Sequence, residues 1–220
     1  MKSVSAAVPR KRRNPSAPRI DTRDALLTAA SDLMIEKDSI DFSLMEVGAR
    51  SGMSAALVQY HFGSKEGLML AIIERGVARA TSQLGELADR PLPAAEKLRL
   101  HINGLVTTYL KMPYTNRLLH VLMQGDDEAR ARQVSELYIR PIAAFYRALL
   151  AQGVAEGSFR PIEPMFFYFL VIGACEHLAA RRTVMRFVFD INGVTDSLRR
   201  DYVQFVYDTV MGGIAPLSAG

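Results

Sequence analysis

Apolar residues recur at helical spacing from early in the chain: Ala25, Leu26, Ala29, Ala30, Leu33 and Met34 fall on one face of a helix. Asp21 or Thr22 caps this helix, which runs to about Lys37, and the polar stretch Asp38 to Asp41 ends it. Ser43 with Glu46 three residues on has the form of a capping box. Phe42 beside it acts as the hydrophobic staple, so a short second helix runs to about Arg50. Ser51-Gly52-Met53-Ser54 reads as a tight turn in which Gly52 supplies backbone freedom, and Ser54 caps a third short helix, Ala55 to Tyr60. Two short helices separated by a glycine-containing turn of this length have the spacing of a helix-turn-helix unit.

Ser64 followed by Lys65-Glu66-Gly67 opens a fourth helix that reaches about Leu87 and is broken by Ala88 to Pro93, with Pro93 early in the next helix. Further helices are expected at about 94–110, 114–124, 127–155, 162–182 and 196–212. Pro113, Gly125, the Gly157 to Pro161 turn and the Asp190 to Gly193 stretch separate them. Pro141 interrupts the 127–155 segment, which is therefore either kinked or two helices. Arg186 to Ile191 is ambiguous between helix and strand; nothing else alternates well enough to be a strand. The expected class is all-α.

Charge changes this picture at the N-terminus. Residues 1–19 hold Lys2, Arg10, Lys11, Arg12, Arg13 and Arg19 with no acid, whereas residues 20–65 carry seven acids against four bases. Pro9, Pro15 and Pro18 disfavour a helix there, so this segment is expected to be a flexible polycation suited to phosphates or a narrow minor groove. The basic run precedes no apolar stretch with a cleavage site, and the most apolar segment, Pro164 to Cys175, is about half a bilayer crossing. The expected location is the cytoplasm, with no membrane association. Cys175 is the sole cysteine and is expected to be core. The four histidines are too scattered to argue a metal site, and no cofactor motif is present.

The most informative run is Phe42 to Leu68. Leu44, Val47, Gly48, Met53, Leu57 and Val58 are placed to pack two short helices on the first, and small residues at Gly48, Ala49 and Ser51 allow a close crossing. That leaves Ser54, Ala55, Ala56, Gln59, Tyr60 and His61 for an exposed, groove-facing side. Gln59 suits an adenine edge, and an alanine methyl suits a thymine methyl. Such a helix is nearly uncharged, so affinity must lean on phosphate contacts from Ser43, Tyr60, His61, Lys65 and the basic residues Arg10, Lys11, Arg12 and Arg13.

Ser43, Gly52, Tyr60-His61-Phe62 and Ser64-Lys65-Glu66-Gly67-Leu68 together resemble the TetR family of bacterial transcriptional regulators. The resemblance implies that Ser43, Tyr60, His61 and Lys65 hold the DNA backbone, that residues 54–59 read bases, and that Phe62 is core. Gly48 stands where alanine is usual, and Ala55 and Ala56 replace a polar residue and a glycine. The remainder of the chain would be an effector-binding and dimerising domain, with its last two long helices forming a homodimer interface. Phe166, Phe167, Phe169, Leu170, Ile172, Tyr202, Phe205, Val206, Val210 and Met211 supply more apolar surface than one layer of contact requires.

The implied organisation is a basic arm at 1–19, a helix-turn-helix domain at 20–66 and the effector and dimerisation domain at 67–220. Candidates for an effector pocket are His101, Tyr109, Met112, His120, Met123, Tyr138, Phe145, Tyr146, Phe167, Cys175 and His177. No phosphate loop, dinucleotide fingerprint or serine elbow points to an enzyme. The expected function is repression from a palindromic operator in double-stranded DNA, relieved by a small organic effector. An activator or dual regulator, or a protein-binding helical adaptor, is the alternative.

Overall fold

The computed structural model describes residues 21–124 and 127–216, and every regular element in them is helical. Three helices come first: α1 (Thr22–Lys37), α2 (Leu44–Ser51) and α3 (Ala55–Phe62). Asp21 caps α1 by accepting the Arg23 N–H at 3.2 Å. The capping box of α2 is complete, the Glu46 N–H donating to the Ser43 hydroxyl at 3.2 Å and the Ser43 N–H donating to the Glu46 carboxylate at 2.8 Å. Gly52 then adopts a left-handed φ of 71°, which glycine takes without steric cost. A β-carbon on Gly48 would lie 2.8 Å from the Met53 carbonyl oxygen and 3.0 Å from the Ala55 nitrogen. The absence of a side chain at Gly48 lets the turn fold back closely on α2.

Helix α4 (Lys65–Asp89) joins two cores. Its first half supplies Leu68, Ile72 and Ile73 to a core containing Leu26, Met34, Val47 and Val58, together with Leu118 and Leu122 of α6 (Thr115–Met123) and Val134 of α7 (Glu128–Val134). Its second half supplies Leu84 and Leu87 to a core built on α5 (Ala94–Lys111), α8 (Arg140–Ala155), α9 (Pro164–Ala180) and α11 (Asp196–Ile214). The unit formed by α1–α3 is thus packed on α4 and shares its core with α6 and α7.

The 127–155 segment contains two helices that join through a π-helical turn, Ser135–Ile139. The Arg140 N–H reaches back to the Ser135 carbonyl. Pro141 has no N–H and crowds the carbonyl four residues earlier, and widening the preceding turn accommodates the ring without ending the helical path. The ambiguous Arg186–Ile191 stretch is resolved as the end of α10 (Arg182–Val188), followed by Asp190 at φ 55°. Its aromatic and β-branched residues favour strand only where a sheet edge is at hand. Here Met185 is buried instead, and the Ile191 N–H closes onto its carbonyl at 2.9 Å. Helices α9 and α11 run antiparallel: the Tyr202 hydroxyl donates to the Ala174 carbonyl at 2.7 Å, and the Arg160 N–H donates to the Ile214 carbonyl at 2.8 Å.

Candidate nucleic-acid interface

Helix α3 lies on the first core through Val58, which is fully buried, and through the half-buried Leu57 and Phe62. Its other side is open. Ser54, Ala56, Gln59 and Tyr60 are exposed, Tyr60 at 83%, with Ala55 and His61 half-buried beside them. The Tyr60 and His61 rings meet edge to face at 5.4 Å, and His61 leans on Phe62 at 6.1 Å. Ser54 spends its hydroxyl as an acceptor for the Leu57 N–H at 3.2 Å, which fixes where α3 begins. Ser43 is exposed, and its hydroxyl donates to the Glu46 carboxylate at 3.0 Å. Lys65 holds its ammonium 3.4 Å from Asp41 and 5.0 Å from the centre of the Phe42 ring, so it stands next to Ser43 in a partly shielded position.

Two other cations of this unit are already neutralised. Arg50 donates to both carboxylate oxygens of Glu36, at 2.7 and 2.5 Å, with Asp32 at 3.9 Å. Lys37 pairs with Glu46 at 2.5 Å. That hydrogen bond, with the Ser43 N–H and hydroxyl, pulls the Glu46 carboxyl down to about 2. Arg23 has no ion-pair partner among the described residues and lies over the Phe62 ring at 5.4 Å. Met45, on α2, is 72% exposed. Neither residue was singled out in the sequence, although Arg23 sits in the first turn of α1, where the helix dipole disfavours a cation. Arg10, Lys11, Arg12 and Arg13 lie outside the described residues.

The unit is tied to the rest of the chain by two arginines. Arg75 of α4 donates to the Asp24 carbonyl, Thr28 and Ser31 on α1, at 3.2, 3.0 and 3.2 Å. Arg117 of α6 donates to the carbonyl and carboxylate of Asp38, at 2.6 and 2.8 Å, where that residue ends α1 at a left-handed φ of 46°.

The predicted sensor residues separate into groups. His101 lines a cavity of about 340 Å³ between α4 and α5, and the Phe145 ring is 4.8 Å from the His101 ring. Tyr109, Tyr146, Phe167 and Cys175 belong to the second core. Burial pushes the Cys175 thiol up to about 12, which leaves it protonated and unreactive. Tyr138 belongs to the first core, and Met112 packs at its edge against Gly76. His120, Met123 and His177 are exposed. Among the described residues no group of histidine, cysteine and acidic side chains is arranged to hold a metal.

Residues 26–72 match the family described as bacterial regulatory proteins, tetR family, and residues 92–219 match the one described as tetracyclin repressor-like, C-terminal domain. The chain belongs to the TetR family. The TetR-family chain is a DNA-binding regulator rather than an enzyme. It is 30% identical over 86 residues to the HTH-type transcriptional regulator EthR of Mycobacterium tuberculosis, a stretch covering 39% of this chain and 40% of that protein. It is 30% identical over 93 residues to the HTH-type transcriptional activator FasR of Mycolicibacterium smegmatis, covering 42% of each. Less than half of either relative is thus spanned. The fold is shared with a TetR/AcrR-family transcriptional regulator from Thermobifida fusca, at a TM-score of 0.65 and 21% identity, covering 87% of this chain and 97% of that one. No helix among the described residues is long and apolar enough to cross a membrane.

Proposed function

We propose that this TetR-family regulator is a repressor that binds a palindromic operator as a homodimer and is released by a small organic effector. The observation that carries the reading is the outer side of α3, where Gln59, Tyr60 and Ala56 are exposed and uncharged around a buried Val58. Such a surface suits hydrogen-bonding and apolar contact with base edges in the major groove. Residues 20–66 form the reading domain in this account. Gln59, with Ser54, Ala55 and Ala56, reads bases, while Ser43, Tyr60, His61, Lys65 and Arg23 hold phosphates, and Arg10 to Arg13 on the 1–19 arm add further phosphate contacts. The protein acts on chromosomal DNA in the cytoplasm.

The homodimer forms through α9 and α11. Phe166, Phe169 and Leu170 on α9 and Phe205 on α11 are each more than half exposed in one chain, and a second copy covers them. Residues 67–220 carry that interface and the effector site, which lies in the cavity beside His101. An effector that moves α4 shifts the reading unit through Arg75 and changes the spacing of the paired α3 helices. Activation is the second reading, favoured by the match over 93 residues to FasR, a transcriptional activator.

The test is a salt titration of binding to DNA from the region flanking its own gene. Affinity falls steeply with salt for the full chain, and deletion of residues 1–19 lowers the slope because fewer counterions are released. Binding that ignores salt would contradict the assignment of the phosphate contacts.

A further inference from the structure

The cavity between α4 and α5 has a definite shape and chemistry. Along α4 its wall runs from Ala80 to Arg90, a span of about 15 Å at ~1.5 Å per residue. Leu84, Leu87, Leu100, Leu105 and Ile142 make the wall mainly aliphatic, and among the described residues no Phe or Tyr ring lines it. Allowing ~30 Å³ for each water-sized group, its volume holds about a dozen non-hydrogen atoms.

Thr81, Gln83 and Thr108 add hydroxyl and amide groups to the wall, and His101 is the buried polar side chain among the described lining residues. His101 is 7% exposed, and its Nε2 is 3.0 Å from the Tyr146 hydroxyl. Its Nδ1 has no hydrogen-bond partner among the described residues. Burial pushes the imidazole down to about 3, so the ring is neutral and offers no counter-charge. The lining carries two full charges, Glu86 and Arg90. Both are exposed, four residues apart at the C-terminal end of α4, and opposite in sign. A charged group seated beside His101, away from these two exposed side chains, would lose its water and find no ion there to pair with.

We propose that this slot takes an uncharged, chiefly aliphatic molecule of about a dozen non-hydrogen atoms whose one carbonyl or hydroxyl group hydrogen-bonds the His101 Nδ1. The inference rests on the reading of this cavity as the effector site and names the ligand class. It does not depend on what the ligand does to DNA binding.

The test uses the full chain, with 2-decanone as the uncharged probe and decanoate as a charged probe of equal chain length, each titrated by calorimetry. The ketone binds the wild type at least about tenfold more tightly than the acid anion, because only the anion must shed its charge or stay outside. In a long-range proton–nitrogen spectrum of the imidazoles, the ketone moves the Nδ1 signal of His101 and leaves the other three of the four histidines in place. Gly104→Leu abolishes binding. Gly104 lines the slot, a β-carbon there meets nothing within 4 Å, and leucine is the better helix former, so the variant fills the cavity without disturbing the fold. The proposal is overturned if the anion binds as well as the ketone, if the ketone does not bind, if another histidine responds, or if Gly104→Leu binds normally. Tight ketone binding that leaves operator affinity unchanged would support the site and contradict the effector role.

Discussion

Gly153 shows how little room the second core leaves. A β-carbon there would lie 1.9 Å from the ring of Phe159, which is itself buried. Gly153→Ala gains about 1 kcal/mol of helix propensity. Forcing the ring aside costs about 1–3 kcal/mol, and we expect the cost to win. The midpoint of thermal unfolding should fall, and Phe159→Leu in the same background should recover part of the loss; an unchanged midpoint would mean the ring moves freely. Glu46 makes a second prediction at this scale. Its carboxyl is pulled from 4.5 to about 2 by Lys37 and the Ser43 cap, so its contribution is complete above about 4.5 and is lost as pH falls toward about 2. Glu46→Gln should therefore be less stable than wild type near neutrality and show a shallower decline over that acid range in thermal melts. The Ser43–Glu46 pair was legible in the sequence because a capping box joins residues three apart. The His101–Tyr146 pair was not, since its members are 45 residues apart and nothing local marks them as partners.

At the scale of elements, the helices with capping serines and glycine turns were readable because their boundaries are set by neighbours. The features that escaped were tertiary solutions to local problems. The π-helical turn at Ser135–Ile139 accommodates Pro141, and α10 draws its helical state from burying Met185 rather than from its strand-like composition. The contacts that couple elements were equally invisible. Arg117 lies 79 residues from Asp38, and it holds the end of α1 against α6. Arg117→Met keeps most of the apolar stem but releases both hydrogen bonds. It should raise amide exchange in the last turn of α1 by about tenfold, the equivalent of about 1.4 kcal/mol, while leaving α9 and α11 unaffected. Protection that is lost uniformly, or nowhere, would show that this arginine does not couple the reading unit to α6.

For the whole molecule, the sequence resemblance carried as far as family and fold, and the proposed reading face of α3 rests on the same residues. The proposed effector site was less accessible: of the candidates named from the sequence, His101 lines the cavity, while much of the rest of its wall is made by aliphatic residues of α4 and α5. Aliphatic residues at helical spacing look the same in sequence whether they face a core or a slot. The apolar face of α9 and α11 leads to a prediction at this scale. Phe169→Ser combined with Phe205→Ser should leave the chain folded, shift its sedimentation from dimer to monomer, and weaken operator binding with it. A variant that stays dimeric would place the interface elsewhere.

Protection mapping on DNA flanking the regulator's own gene, with wild type beside Gln59→Ala and Tyr60→Ala, tests the central claim most directly. The account predicts a roughly palindromic protected site with half-sites about one helical turn apart or a multiple of it. Gln59→Ala should relax the base preference, and Tyr60→Ala should weaken binding at every sequence alike. A footprint indifferent to both substitutions, or no protected site at low salt from a folded protein, would contradict it.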